Sequence, residues 1–434
     1  MFLGILILLI RQVYAADVPS SRIQDDSSLR TAIKDTWFTE NPALVQRNRP
    51  VTRNLPGNSP VQIRTSAQNR ELSVILARER NGSFPGWEQG SWIYTRNFES
   101  GAPLRIRVFL RSDPNMYVQF RPLGTDKSQI DLVLYEAYIV RGLPIGLPFE
   151  QLLTLPVNEA LALAGNRFPR HYFDPDPQLY FNICPSRRNP SRNFIARIRT
   201  ALPPLIFQDD GALDENNRYV FIETLNPQPA PMGLNCSGFV KWVVDGMLRP
   251  ITGKRLAITP LKSHVTSRNS LLVNNEAYRD FLFGLDWTRN LALEASRVFR
   301  SPGFATIENV EVRREAFAAL IDRTRGAAAI KNFPGFLLNA GFIIEGLRPI
   351  LYTLAVNEPG HLYLVSVSQE RGPVPQQRQH YHVAVLIPYF NEYGNFQTAV
   401  FESAAETNLS GFIRRHPNAL VNLVRIPIEG SFDP

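Results

Sequence analysis

The chain has 434 residues, a net charge of +8, 44% hydrophobic and 20% charged residues. That balance is globular, is long enough for two or three domains, and excludes a disordered chain. A basic surface favours wall polymers, phospholipid headgroups or nucleic acid, but Lys and Arg are dispersed and no basic–aromatic cluster appears, so no nucleic-acid partner is expected.

Residues 1–15 read as a secretion signal. Phe2 to Ile10 is apolar, and Val13-Tyr14-Ala15 before Ala16 fits the small-residue cleavage rule. The run is too short to span a bilayer. No Lys or Arg precedes it, and Arg11 follows closely. Cleavage after Ala15 and export to the periplasm, cell surface or medium are expected. Residues 16–55 are polar and irregular, with a helical patch near Ser28 to Trp37, and read as a leader onto the first domain.

Over 56–145 the apolar period becomes two, with strands expected at 61–64, 72–76, 91–94, 104–110, 116–120 and 130–135. Short alternating strands between Gly- and Asn-rich turns predict an antiparallel β-sandwich or barrel. Arg105, Arg107 and Arg121 fall on its outward positions; they either hold an anionic surface or form a solvated face. Residues 146–190 form a connector: a helical stretch from Phe149 to Ala164, then a proline-rich run with His171 and Cys184. His171 has no metal-ligand partner at useful spacing.

A helix follows over 191–202, with Ser191 as cap and Phe194, Ile195, Ile198 and Leu202 on one side. Tyr219 to Ile222 is a short strand. Residues 249–356 carry several helices, among them Asn275 to Phe283 and Val312 to Arg323. The apolar run from Phe336 to Val356 contains Glu345, Arg348 and Pro349, which disfavour a membrane span. It predicts a buried helix hairpin or a groove wall, and leaves open a peripheral membrane contact. Strands return at 360–367, 381–387, 398–403 and 421–428. A meander after helices makes the C-terminal part an α+β lobe.

The chemistry converges on Gly233-Leu234-Asn235-Cys236-Ser237-Gly238-Phe239-Val240. A glycine-led loop delivers Cys236 to a helix start, and Phe239, Val240, Val243, Val244 and Met247 follow at helical spacing. Asn235 is placed to cap that helix. A thiol on the positive end of a helix dipole favours the thiolate. It needs a base, and the base needs an orienting acceptor. Of the six histidines, His382 opens a strand whose hairpin partner carries Glu402 and Ser403. Either neighbour can meet it, because register slips by one residue easily. His380 is the fallback base; His264, His361 and His416 read as surface or core histidines. The rival use of Cys236 is a disulfide with Cys184, which would consume the nucleophile. No His-x-x-x-His or paired-Cys zinc spacing occurs, so neither metal nor cofactor is expected.

In order, Tyr219-Val220-Phe221, the cysteine motif, Pro359-Gly360-His361-Leu362, His382-Val383-Ala384-Val385 and Val400-Phe401-Glu402-Ser403 resemble the NlpC/P60 family, papain-like cysteine peptidases of bacterial cell walls. The resemblance covers 191–248 and 357–428 and makes 191–434 a catalytic domain with a helical insertion at about 249–356. Asn235 stands where the family usually has aspartate, and Glu402 where His, Asn or Gln is common. The resemblance implies an exported cysteine hydrolase cleaving amide bonds in peptidoglycan stem peptides. Cys236 would be nucleophile, His382 base and Glu402 orienter, with Tyr219, Asn235 and Ser237 at the substrate or oxyanion, and with peptidoglycan or another anionic wall polymer as partner. Two other readings stand beside it: an acyltransferase or amidase of the same fold on a non-wall substrate, and an inactive cell-surface binding protein.

Overall fold

The computed structural model describes residues 23–135, 137–174, 190–267, 280–300, 302–313, 336–371, 377–392, 394–429 and 431–434. The secretion signal, Cys184 and most of the helices expected at 275–283 and 312–323 lie outside them. The protein is an α+β fold on two large antiparallel sheets, one of eight strands and one of seven.

The first sheet pairs in chain order: β1 (Val51–Arg53), β2 (Val61–Gln68), β3 (Glu71–Arg78), β4 (Trp92–Asn97), β5 (Pro103–Val108), β6 (Met116–Leu123), β7 (Lys127–Leu134) and β8 (Ala137–Ile145). Short turns between strands make sequence neighbours sheet neighbours. The six expected strands are β2 to β7. The edges escaped the period-two reading because β1 is short and β8 carries Gly142 and Pro144. The result is one meander rather than two facing sheets, and no pairing of β1 with β8 closes it among the described residues.

One face of this sheet, with Val61, Ile63, Leu72, Val74 and Leu76, is buried. The segment expected as a leader packs there. Helix α1 (Ser27–Ile33) continues into a π-helix over Lys34–Thr39, and α2 (Pro42–Val45) follows. Phe38 lies 5.3 Å from the Trp92 ring and meets Tyr94 edge-on at 5.6 Å. Buried Arg30 donates to the carbonyls of Leu153 (3.1 Å) and Leu155 (2.8 Å). It thereby ties α1 to the connector helices α3 (Phe149–Leu152) and α4 (Val157–Leu163). The outward arginines have partners within the sheet. Arg105 forks onto Glu71, Arg121 reaches both oxygens of Asp131 (2.6 and 2.9 Å), and Arg107 donates to Gln119 (3.1 Å) over the Tyr117 ring. Arg105 and Arg121 are thus paired with carboxylates, whereas Arg107 has only neutral partners.

The second part begins with α5 (Pro190–Ala201) and the hairpin β9 (Gly211–Leu213) and β10 (Tyr219–Phe221). Helices α6 (Cys236–Thr252), α7 (Ile258–Leu261), α8 (Phe283–Phe299), α9 (Ile307–Val310), α10 (Leu347–Asn357) and α11 (Leu409–Arg415) surround a sheet made of β11 (Phe336–Leu337), β12 (Gly341–Ile343), β13 (His361–Arg371), β14 (Gln377–Phe390), β15 (Phe396–Glu402), β16 (Ala405–Asn408) and β17 (Leu420–Pro427). Their spatial order is β11-β12-β17-β13-β14-β15-β16. Period two sorts its faces. Leu364, Val385, Phe401, Val424 and Ile426 pack with α6 and α8, while Tyr363, Val365, Leu386, Val400 and Leu423 pack with α10 and join the core of the first sheet.

Within 249–356, α8 is no excursion from this layer. It lies beside α6 over the sheet, and buried Trp287 donates its indole N–H to the Ser237 carbonyl at 3.0 Å. The expected helix hairpin over 336–356 is instead a strand pair, a 3-10 turn and α10. Gly341 explains the change: it sits at φ 93°, where a Cβ would meet the Val421 carbonyl at 1.9 Å, and Phe342 then pairs with Val421. No helix among the described residues is long and apolar enough to cross a membrane.

Helix α6 also carries a fully buried ion pair. Lys241 Nζ lies 2.7 Å from Asp245 and donates to the Leu213 carbonyl at 2.8 Å, fastening β9 to the helix. A buried charge left without its partner costs about 3–5 kcal/mol. Lys241→Met should therefore lower urea-unfolding stability toward that figure, with Arg255 (3.8 Å) and the Leu256 amide (2.9 Å) still on Asp245. A loss in the single variant below about 1 kcal/mol, the size of an exposed pair, would contradict the burial.

Candidate active site

Close approach fixes where Cys236 sits. The Asn235 amide donates to the Gly211 carbonyl (2.9 Å), the Leu234 amide to the Ile206 carbonyl (2.9 Å), and Phe207 bridges Leu234 in parallel. A Cβ at Gly238 would lie 2.0 Å from the Gly211 oxygen, and one at Gly233 2.3 Å from the Ile206 oxygen. Both glycines of the motif are thus required by space, because a second chain segment runs against the first turn of α6. Gln228 holds the loop from inside. Its amide donates to the carbonyls of Val220 (2.8 Å) and Gly233 (3.1 Å), and its oxygen accepts from the Gly233 amide (2.9 Å). It was not singled out from the sequence; its place in a Pro-Gln-Pro run marked a fixed loop and no more.

Asn235 caps α6 as expected, its side-chain oxygen accepting from the Gly238 amide at 2.8 Å. That oxygen is therefore engaged in the helix and not turned to a ligand. Cys236 opens the helix with a free, half-buried thiol. Burial alone would push its pKa up. A hydrogen bond and the charge of His382, the Val383 amide and the Ser237 hydroxyl outweigh that and hold it below the ordinary value of 9.0.

The amide of Val383 is available because the sheet opens at this point. β15 pairs with β14 only from Val385 onward. β14 also contains a bulge: Val367 faces His382 while Ser368 faces His380, leaving Tyr381 as an extra residue. Bulges re-aim side chains. Without one, His380 and His382 would share a face; here they oppose neighbouring residues of β13 and point to opposite sides. His380, the fallback base, is buried, with Nδ1 bonded to the Ser366 hydroxyl (2.8 Å) and Nε2 to the Asn339 carbonyl (3.0 Å). Burial pushes its pKa down to about 4, and it is a structural histidine.

His382 donates from Nε2 to Glu402 Oε2 at 2.7 Å, which leaves Nδ1 for the thiol. Burial lowers its pKa, but the hydrogen bonds and charges of Cys236 and Glu402 raise it to about 9. Glu402 is buried, which raises its pKa. His382, the Thr407 hydroxyl (2.7 Å) and the Arg415 charge bring it below the usual value. Ser403, the other candidate for this place, lies at φ 48° in the turn into β16. The three shifts run in the directions that favour thiolate, imidazolium and carboxylate, a charge pattern suited to nucleophilic attack.

Ser237 lies beside the thiol. Tyr219 pairs with Leu213, two ladder positions from the Phe221–Gly211 pair that adjoins Asn235, and packs against the same core cluster as Cys236. His264 is exposed near Asp280 (3.5 Å), His361 bonds the Glu358 carbonyl (3.0 Å), and the His171 ring lies tilted against Tyr172 at 4.5 Å. His416 is buried, as expected of a core histidine, but it lies against the site. Its ring is stacked on His382 with centroids 5.2 Å apart, and Tyr381 bonds its Nδ1 at 2.8 Å. His382, Glu402 and His416 each bring one potential ligand atom within 4.8 Å of the others, a grouping that motif spacing does not reveal.

A family model described as a domain of unknown function (DUF8515) matches residues 19–172. That match takes in the first sheet with its flanking helices and stops before the cysteine and histidine segments. No curated protein and no solved structure matches the chain.

Alkylation by iodoacetamide reads the thiolate directly. The wild-type rate should already be high below pH 9 and should rise as pH passes through the lowered thiol pKa. In His382→Ala, burial remains while the lowering groups on the ring are gone, so neutral-pH alkylation should fall roughly tenfold for each unit the thiol pKa rises. Equal profiles for the two proteins would show that His382 does not set the thiol's charge.

Proposed function

We propose that the protein is an exported cysteine hydrolase of papain-like architecture that cleaves amide bonds in peptidoglycan stem peptides. The observation that carries this reading is the His382–Glu402 hydrogen bond at 2.7 Å, with Cys236 on the first residue of α6 near enough to His382 for each to shift the other's pKa. The free thiol of Cys236 supports it over the disulfide alternative. The order of elements supports it too: a cysteine helix packed on a sheet whose histidine and carboxylate strands are neighbours. The net charge of +8 suits an anionic wall polymer.

In this reaction the Cys236 thiolate attacks the scissile carbonyl carbon. The amides of the first turn of α6 have no intrahelical acceptor, and those of Cys236 and Ser237 face the developing oxyanion. His382 passes its Nδ1 proton to the departing amine, whose bond to the carbonyl carbon breaks. Water, deprotonated by the same nitrogen, then hydrolyses the thioester and restores the thiol. Glu402 keeps the ring oriented and balances its charge throughout, and Arg415 with Thr407 keeps Glu402 in place.

Purified peptidoglycan incubated with the wild type should release stem-peptide fragments detectable by mass spectrometry, and Cys236→Ala should release none. Glu402→Gln should keep the geometry and lose on the order of 10²–10⁴ in rate, the range between one positioned donor and a triad carboxylate. Identical fragment profiles from wild type and Cys236→Ala would remove peptidoglycan as the substrate.

A further inference from the structure

The proposed reaction makes no use of His416. Its ring is nine-tenths buried, its Nδ1 is bonded to Tyr381, and its Nε2 is buried with no hydrogen-bond partner. An imidazole nitrogen shut from water without a partner is costly unless something visits it. We propose that His416, His382 and Glu402 form a binding site for a divalent metal ion of the zinc class, and that this ion and the Cys–His–Glu hydrogen-bonded chain exclude one another.

The donor set is two imidazole nitrogens and a carboxylate oxygen, with ligand atoms within 4.8 Å of one another. Zinc takes such donors at about 2.0–2.2 Å, so small side-chain rotations close the site. Each ligand also has an outer partner on the atom that would face away, as metal ligands generally do. Tyr381 takes Nδ1 of His416; Thr407 and Arg415 take Oε1 of Glu402; Cys236 takes the far nitrogen of His382. These outer contacts leave Nε2 of His416, Oε2 of Glu402 and Nε2 of His382 to converge. The ligands come from β14, β15 and the turn after α11, which is why they form no local sequence motif.

The His382–Glu402 contact of 2.7 Å occupies part of this space. An entering ion displaces the Nε2 proton of His382 to solvent and replaces that hydrogen bond by two coordination bonds. The imidazole is then pinned by the ion and no longer oriented by the carboxylate. Arg415, half-exposed, is the opposing charge and has room to swing away.

The test is a titration of chelator-stripped full-length protein with Zn²⁺ by calorimetry and with Co²⁺ by visible absorption, in wild type and in Cys236→Ala. Both proteins should saturate at one ion per chain. His416→Ala and His416→Gln should weaken binding by at least the ~10–100-fold that loss of even an outer partner causes, with folding checked by circular dichroism. Absence of binding in wild type, unchanged affinity in folded His416→Gln, or loss of binding in Cys236→Ala would each overturn the site. Cys236→Ala cannot carry out the proposed hydrolysis, so its metal binding stands or falls separately from that reading.

Discussion

The approach of the Gly211 carbonyl to the first turn of α6 is the constraint on which the site depends. The gap admits a hydrogen atom at position 238 and nothing larger. Because it is so narrow, the Asn235 amide reaches Gly211, the N-cap closes on Gly238, and Cys236 is delivered at one depth against the sheet. Lys241 repeats the fastening one turn later through the Leu213 carbonyl, and Trp287 repeats it from α8 through the Ser237 carbonyl. The start of α6 is thus fastened to β9 and to α8, with the side chains around the thiol left to set its charge.

That charge is settled by a contest between burial and partners. Burial opposes the ionised form of Cys236, His382 and Glu402 alike, and in all three the neighbours prevail. His416 shows the opposite outcome a ring's thickness away. Burial and the positive charge on His382 together push it down to about 4, so it stays neutral. Two stacked imidazoles thus differ in charge because one has a carboxylate on its outward nitrogen and the other has none.

Much of this was legible in the sequence where a single period governs. Alternation located β2 to β7 and the four long strands of the second sheet, helical spacing located α5 and α6, and hairpin reasoning brought Glu402 to His382. The misses arise where local pattern yields to distant contact. The polar run before β1 hides Phe38 and Trp37, which are buried by strands far along the chain. The apolar run at 336–356 reads as helix until Gly341 is forced against β17. The bulge at Tyr381 reverses the side on which His380 falls, and nothing in Gln-His-Tyr-His announces it. His416 is brought in by α11, too remote for spacing to find.

The Tyr352 hydroxyl on α10 donates to the Tyr172 carbonyl, its ring packs on Tyr135 at 5.9 Å, and Arg111 reaches the Gly394 carbonyl. Each of these joins the part matched by the DUF8515 model to the sheet that carries His382. The two sheets share one apolar interior. Removal of residues 1–172 would present the buried face of α10 and the aromatic cluster around Tyr352 to water. A change in one sheet's packing volume is therefore felt by the other, and the surroundings of Cys236 depend on side chains of the N-terminal meander that never touch it.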